Sequence, residues 1–303
     1  MFTVAASVAA GCAPASGPQG PGPWTWTELR VEGPQRSQGL ATDPSRPAPS
    51  DTWYTSQFTL ERAASDGTEL NLIGSLPADV LLTWKNSHTG DPDADGGRVV
   101  VPWENKQLGP SDPPTKSFGV YDASSLELQG WAKHILGPGE TNDNPWVAIT
   151  PDGKWMVTGR YTPLAQLEVY PVPTAPYADL PLVATIPLDT PPSAVQGCDF
   201  ASDRQLVCAS NDEGTGKQVF TLALDAPLGS AGTGATTARI SYEGAAPQAA
   251  PLLGSGSTSC ADVGEVEGID AQHVAGRGTV VRLLVVDRCY IVIHEYEHVI
   301  ADN

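Results

Sequence analysis

The sequence predicts an all-β chain, a five-bladed β-propeller whose N-terminal strand completes the last blade. Three observations carry this. Short alternating runs separated by turns fill the chain. Units of about fifty residues recur, each with a place for four strands, which is the sequence signature of a propeller. The 303 residues include 31 Gly and 28 Pro, and no apolar run keeps helical spacing for long, so the composition suits many short strands.

The clearest unit is NPWVAITPDGKWMVTGRY, from Asn144 to Tyr161. Two period-two runs flank a Pro151-Asp152-Gly153 turn. Trp155, Val157 and Gly159 fall on one side of the second run, with Met156 and Thr158 on the other. Runs of this kind joined by a tight Gly-bearing turn form a β-hairpin.

Residues 24–32 (WTWTELRVE) alternate like a strand and precede the first unit. The unit openings are Ser37-Gln38-Gly39-Leu40, His88-Thr89-Gly90-Asp91, Asn144-Pro145-Trp146-Val147, Val195-Gln196-Gly197-Cys198 and Val266-Glu267-Gly268-Ile269. Each leads into a turn and a strongly apolar second strand: WYTSQF, RVVVPWEN, KWMVTGRY, RQLVCASND and TVVRLLVVD. Third strands follow at FTLERA, FGVYDAS, LEVYPVP, QVFTLALD and YIVIHEYEH. Fourth strands follow in four units, at ELNLIGSL, ELQGWAKH, LVATIPL and TARISYEG. The last unit ends after its third strand, so the strand at 24–32 is expected to complete it and hide an open edge. A tandem of β-sandwiches would not explain the repeated Gly-bearing openings.

Lys and Arg total 17 against 35 Asp and Glu, a net charge of −18. Such a surface repels phosphate backbones, which argues against nucleic acid as a partner, and it attracts cations. Scattered acids are ordinarily just a solvated surface.

The start, MFTVAASVAAGCAPASGPQGPGP, carries a short apolar run ending at Ala9-Ala10-Gly11-Cys12. It resembles a bacterial lipoprotein signal, which implies lipidation at Cys12. It departs from that pattern in lacking Lys or Arg ahead of the run and in having Ala9 where Leu or Val is usual. The run is too short to span a bilayer. Residues 1–23 are therefore read as a signal remnant and a Pro/Gly-rich tether, and residues 24–303 as the propeller domain. The expectation is an exported, lipid-anchored protein at the cell surface, touching the membrane only through its anchor. The four remaining cysteines form an even set, which suits disulfides in an oxidising compartment. Cys198 and Cys208 flank a turn near Asp203 and are expected to pair across a hairpin, which leaves Cys260 with Cys289. Four cysteines allow three connectivities, and the spacing matches no zinc pattern.

The openings and second strands resemble secreted bacterial β-propeller proteins of the NHL-like and SdiA-regulated-like type. The motifs are H-x-G-D at His88 to Asp91, V-P-x-E at Val101 to Glu104, P-W-x-A-x-x-P at Pro145 to Pro151, V-Q-G at Val195 to Gly197 and E-x-E-G-I at Glu265 to Ile269. The resemblance covers most of residues 37–300 and implies a propeller fold and a secreted setting. It carries no assigned activity.

In a propeller the innermost strands line a central channel, and loops at one end form the usual ligand face. The openings bring Gln38, His88, Asp91, Asn144, Trp146, Gln196 and Glu267 towards that mouth, with Glu104 and Glu265 just behind. Carboxylates, an imidazole and amides converging there can hold a sugar or a cation such as Ca²⁺, for which Asp91 and Glu267 are the candidate ligands. The competing reading is that these groups tie blades together through buried hydrogen bonds.

Two other strings carry partial metal-site signatures. Asp91-Pro92-Asp93-Ala94-Asp95-Gly96 matches the start of a calcium loop, but the twelfth position is Pro102 rather than Glu, and a hairpin turn accounts for it. His294-Glu295-Tyr296-Glu297-His298 matches H-x-x-E-H, whose zinc chemistry needs a helix. Here the string continues a strand, placing His294, Tyr296 and His298 on one face and Glu295 and Glu297 on the other, so a protease is rejected in favour of a solvated outer strand. No Gly-x-Ser-x-Gly elbow or P-loop is present. Gly254 to Ser257 reads as a flexible loop, and Trp53 and Trp155 read as blade core.

The functional expectation is an exported, monomeric propeller that binds a small molecule, glycan or protein partner at the channel mouth, without catalysis. One rival is a secreted glycoside or phosphoester hydrolase, Ca²⁺-assisted, with Asp91, Glu104 and Glu267 as its carboxylates. Another is a structural surface scaffold.

Overall fold

The computed structural model describes residues 24–45, 50–78, 80–81, 87–104, 115–174, 176, 178–212, 217–247, 263–287 and 292–301. Cys12, the 1–23 segment, Cys260, Cys289 and the Gly254 to Ser257 loop lie outside them. So does any test of lipidation or of the second disulfide.

Five antiparallel sheets form the five blades. Blade 1 runs outward from the axis through Gly39–Thr42, Thr52–Thr55, Thr59–Ala63 and Glu69–Gly74. Blade 2 has an inner strand split into His88–Thr89 and Asp93–Asp95, then Arg98–Glu104, Thr115–Asp122 and Leu128–Ile135. The split falls at Pro92, which has no N–H to give the ladder. The short strand Ala178–Asp179 adds a parallel rung to the outer edge of this blade. Blade 3 comprises Ala148–Ile149, Trp155–Gly159, Gln166–Pro171 and Ala184–Pro187. Blade 4 comprises Val195–Ser202, Gln205–Ser210, Gln218–Leu224 and Ala238–Ala245. Blade 5 runs through Val263–Val274, Gly278–Asp287 and Ile293–Ile300, and its outermost strand is Thr27–Glu32, antiparallel to Ile293–Ile300. The two ends of the chain thus share one sheet, as the sequence predicts.

The apolar second strands are buried on both faces because each blade is packed on two sides. In blade 2, Val99 and Val101 join Trp53 and Leu60 of blade 1, while Val100 turns the other way to join Met156 and Tyr170 of blade 3. In blade 4, Leu206 and Cys208 face Val157 and Leu167 of blade 3, while Val207 and Ala209 face Val266 and Leu283 of blade 5. In blade 5, Leu284 and Val286 meet Leu40 and Tyr54 of blade 1, which completes the ring of five inter-blade cores. Cys198 and Cys208 are cross-strand partners and form the expected disulfide.

The H-x-x-E-H string lies on the strand Ile293–Ile300, as its alternation predicts, but this is not a solvated edge. Thr27–Glu32 covers it. His294 Nδ1 lies 3.0 Å from Glu28 Oε2, and the His298 ring stacks on Trp24 with centroids 4.4 Å apart. Glu295 is fully buried, accepts the Tyr54 hydroxyl at 2.7 Å and lies 3.3 Å from Arg30 Nε. Among the described residues no helix is long and apolar enough to cross a membrane.

Candidate functional site

The five inner strands approach one another so closely that their openings cannot carry side chains at one level. A Cβ on Gly197 would lie 2.3 Å from Asp91 Oδ2, and one on Gly268 would lie 2.5 Å from Asp91 Oδ1 and from Gly39 Cα. This is the physical reason for the recurring glycine, and it closes the channel at that depth. The third opening has no glycine: Trp146 stands at that position and packs into the core between blades 3 and 4. Asp91 N donates to Pro145 O at 2.8 Å and Val147 N donates to Asp91 O at 3.1 Å, so blades 2 and 3 are joined here by backbone.

Above this constriction lies a cavity of about 490 Å³ lined from all five blades. Gln38 comes from blade 1, His88 and Glu104 from blade 2, Tyr161 from blade 3, Gln196 from blade 4, and Glu265 and Glu267 from blade 5. Asn142 and Asp143 enter from the segment linking blades 2 and 3. Strand geometry explains several of these positions. His88 and Glu104 are cross-strand partners, with His88 Nδ1 at 3.5 Å from Glu104 Oε2. Gln196 and Glu267 fall where the inner strands of blades 4 and 5 slip register against their neighbours. A bulge re-aims side chains out of the regular alternation, and here it turns both towards the axis. Gln196 Nε2 donates to Glu265 Oε2 at 3.4 Å, linking blades 4 and 5 at the rim.

Six of the nine residues expected at the mouth line this cavity: Gln38, His88, Glu104, Gln196, Glu265 and Glu267. The other three stand in the packing around it. Asp91 is 1% exposed, and its carboxyl accepts Leu40 N at 3.0 Å and Ile269 N at 3.2 Å, tying blade 2 to blades 1 and 5. Burial pushes that carboxyl well above the usual range, against the pull of the two N–H groups. Asn144 donates to Ser117 O at 3.0 Å and accepts Thr158 Oγ1 at 3.1 Å. Trp146 lies in the core between blades 3 and 4. For Asp91 and Asn144 the blade-tying reading describes their contacts, while Trp146 serves as core packing.

Asn142, Asp143 and Tyr161 are lining residues that the sequence reasoning did not select. Their signal was adjacency: two sit just before the third opening, and Tyr161 just after a second strand. Four carboxylates therefore face the cavity, Glu104, Asp143, Glu265 and Glu267, with one imidazole and no Lys or Arg among its described lining. Among the described residues no three His, Cys, Asp or Glu groups converge in a metal-holding arrangement. A smaller cavity of about 250 Å³ lies at the other end of the inner strands, lined in part by Asp93, Asp95, Thr150, Asp199, Asp203 and His273.

No family model and no curated protein matches the chain. Among solved structures, it is similar to the GH43 endo-arabinanase from Bacillus licheniformis, with 11% identity over 90% of this chain and 97% of that one and a TM-score of 0.50. A gluconolactonase from Xanthomonas campestris aligns at 11% identity over 84% of this chain and 70% of that one, with a TM-score of 0.42. The major Malassezia sympodialis allergen Mala s 1 aligns at 10% identity over 82% and 72%, with a TM-score of 0.43. At such identities the likeness concerns the β-propeller fold alone.

Proposed function

We propose that the chain is a binding propeller that captures a small, positively charged ligand at its channel mouth. The single observation that supports this most is the composition of the cavity. Four carboxylates reach it from three parts of the ring, with no Lys or Arg among its described lining residues, in a space of about 490 Å³, which is the scale of small-molecule sites. A concave, low-dielectric wall of one sign concentrates counter-charge, and the net charge of −18 reinforces it at longer range. Amides from Gln38, Asn142 and Gln196 and the Tyr161 ring would orient a polar ligand. The ligand's positive charge can be its own, as in an amine or amino sugar, or can come from Ca²⁺.

The setting belongs to the same proposal. The chain is exported and tethered through Cys12, and the Cys198–Cys208 disulfide suits an oxidising compartment. It is a secreted propeller of the NHL-like type in this reading, with hydrolysis of a glycoside as the rival. A phosphoester fits less well, since its charge would meet four carboxylates.

Isothermal titration with spermidine, glucosamine, Ca²⁺, a neutral arabino-oligosaccharide and glucose 6-phosphate separates these cases. The proposal expects heat from at least one positive ligand, weakened tenfold or more in Glu267→Gln, and none from glucose 6-phosphate. Turnover of a chromogenic glycoside, abolished in Glu267→Gln, would replace it with the hydrolase reading. Binding only by the phosphate, or by nothing, would sink it.

A further inference from the structure

The crossover from blade 2 to blade 3, residues 136–143, leaves the outer strand Leu128–Ile135 and brings Asn142 and Asp143 to the cavity. Asn144 fixes its inner end through Ser117 O and the Thr158 hydroxyl. Its outer half is a turn, Gly137-Pro138-Gly139-Glu140, closed by Glu140 N donating to Gly137 O at 3.2 Å. Pro at the second position and Gly139 with φ 87° at the third suit a type II turn. The Glu140 carboxylate bites back on this turn, accepting Gly137 N at 2.8 Å, and its Oε2 lies 2.7 Å from His134 Nε2. The other ring nitrogen of His134, Nδ1, lies 3.0 Å from Leu180 O. A carbonyl oxygen and an ionised carboxylate only accept, so both ring nitrogens must carry a hydrogen, which makes His134 an imidazolium here.

We propose that His134 is a positioning residue for the channel mouth: as an imidazolium it clasps the Glu140 carboxylate and the Leu180 carbonyl together, and so holds in place the crossover that delivers Asn142 and Asp143 to the cavity. This rests on the binding reading above and adds a proton to it, since the hold is lost when His134 deprotonates.

The charges facing the ring are matched. Against the upward push of burial, the Gly137 N–H and His134 hold the Glu140 carboxyl below its usual range, so it is ionised. Lys116, the cross-strand partner of His134, is fully buried and brings a like charge, but its Nζ lies 2.8 Å from Glu168 Oε2. Tyr170 packs beside the His134 ring with centroids 5.3 Å apart and gives its hydroxyl to Glu168 at 2.9 Å. On the segment that carries Leu180, Asp179 pairs with Lys133 in the ladder. Two cations therefore face two carboxylates across the join of blades 2 and 3. The His134 side chain is 13% exposed and that of Glu140 22%, which gives the proton a route to solvent.

The sign follows from which form makes the contacts. Histidine side chains change charge between about pH 5 and pH 8. Neutral His134 has a single N–H and must give up either Glu140 or Leu180, so the clasp is present below that change and lost as pH rises through it. Glu140, with its lowered carboxyl, stays ionised throughout.

The test is NMR of the whole chain with ¹⁵N-labelled histidine from about pH 5 to about pH 9, for the native protein and for His134→Gln. Both ring nitrogens of His134 should carry hydrogen at the acid end. There the Gly137 amide should exchange about tenfold more slowly in the native chain than in the variant, and the difference should vanish along the same titration. Glu140→Gln, which removes the charged acceptor, should also lose the pH-dependent protection, and it stands in if the first variant does not fold. Spermidine should bind the native chain several-fold more tightly than His134→Gln at the acid end and equally at the alkaline end. A ring with one protonated nitrogen at the acid end would overturn the proposal. So would an exchange ratio that ignores the titration, or a spermidine affinity equal in the two proteins throughout. If the native chain binds no spermidine at any pH, the binding reading fails, while ring protonation and the exchange ratio still decide whether His134 holds the crossover.

Discussion

The join between the first and last blades rests on a buried ion pair whose removal has a calculable cost. Arg36 is 2% exposed and Glu61 is fully buried. Arg36 Nε lies 3.1 Å from both Glu61 oxygens, and its Nη2 also bonds Glu61 and donates to Gly67 O at 2.8 Å. Arg36 Nη1 lies 2.7 Å from Glu32 Oε1, and the guanidinium sits 4.5 Å from the centre of the Tyr54 ring. One cation thus links the N-terminal strand of blade 5 to the third strand of blade 1. Replacing it with Met leaves the Glu61 carboxylate buried without its partner, and breaking a buried pair from one side costs about 3–5 kcal/mol. Replacing both partners, as Arg36→Met/Glu61→Leu, removes the stranded charge, and similar swaps elsewhere have been neutral or stabilising. Urea unfolding at pH 7 should therefore show the double variant at least about 2 kcal/mol more stable than Arg36→Met alone. A single variant within about 0.5 kcal/mol of the native protein would refute the reasoning, as would a double variant equal to the sum of the two single losses.

Other expectations follow from the same contacts. Cys198 and Cys208 are separated by 10 residues, so reducing their disulfide should lower stability by about 2.7 kcal/mol on the loop-entropy account, read as a shift of the urea midpoint with and without reductant. Gly197→Ala should cost about 1–3 kcal/mol or more, because its Cβ would fall 2.3 Å from Asp91 Oδ2 and 3.1 Å from Ile269 N; a native melting temperature would contradict it. His298→Ala should remove the stacking face of Trp24 and red-shift tryptophan emission while leaving ligand binding at the channel mouth intact.

Much of this architecture was legible because it is periodic. The unbroken apolar second strands, such as Val99 to Trp103, announce two buried faces, and the alternation at 293–300 overrides the zinc-protease string. The glycine in the openings marked the axis before its cause was visible. The site was legible only in part. Position within an opening identifies residues near the axis, but not whether they point up into the cavity or sideways into a neighbouring blade. Gln196 and Glu267 reach the cavity because the strands slip register, and a register slip has no local sequence signature. Asp91 and Asn144 turn instead to backbone groups that their neighbours leave open, which depends on contacts with segments far away in sequence. The burial of Glu295 was hidden for the same reason: the strand that covers it lies at the other end of the chain.

The most direct test of the binding account is the melting temperature of the purified protein in excess EDTA, with Ca²⁺ and with spermidine, for the native chain and for Glu267→Gln. A ligand that binds only the folded form adds about 2.7 kcal/mol at a hundredfold excess over its dissociation constant. The account predicts a rise of several degrees with at least one of the two positive ligands, reduced or lost in the variant. No rise with either, or an equal rise in Glu267→Gln, would contradict it and leave the channel-mouth carboxylates without a ligand-binding role.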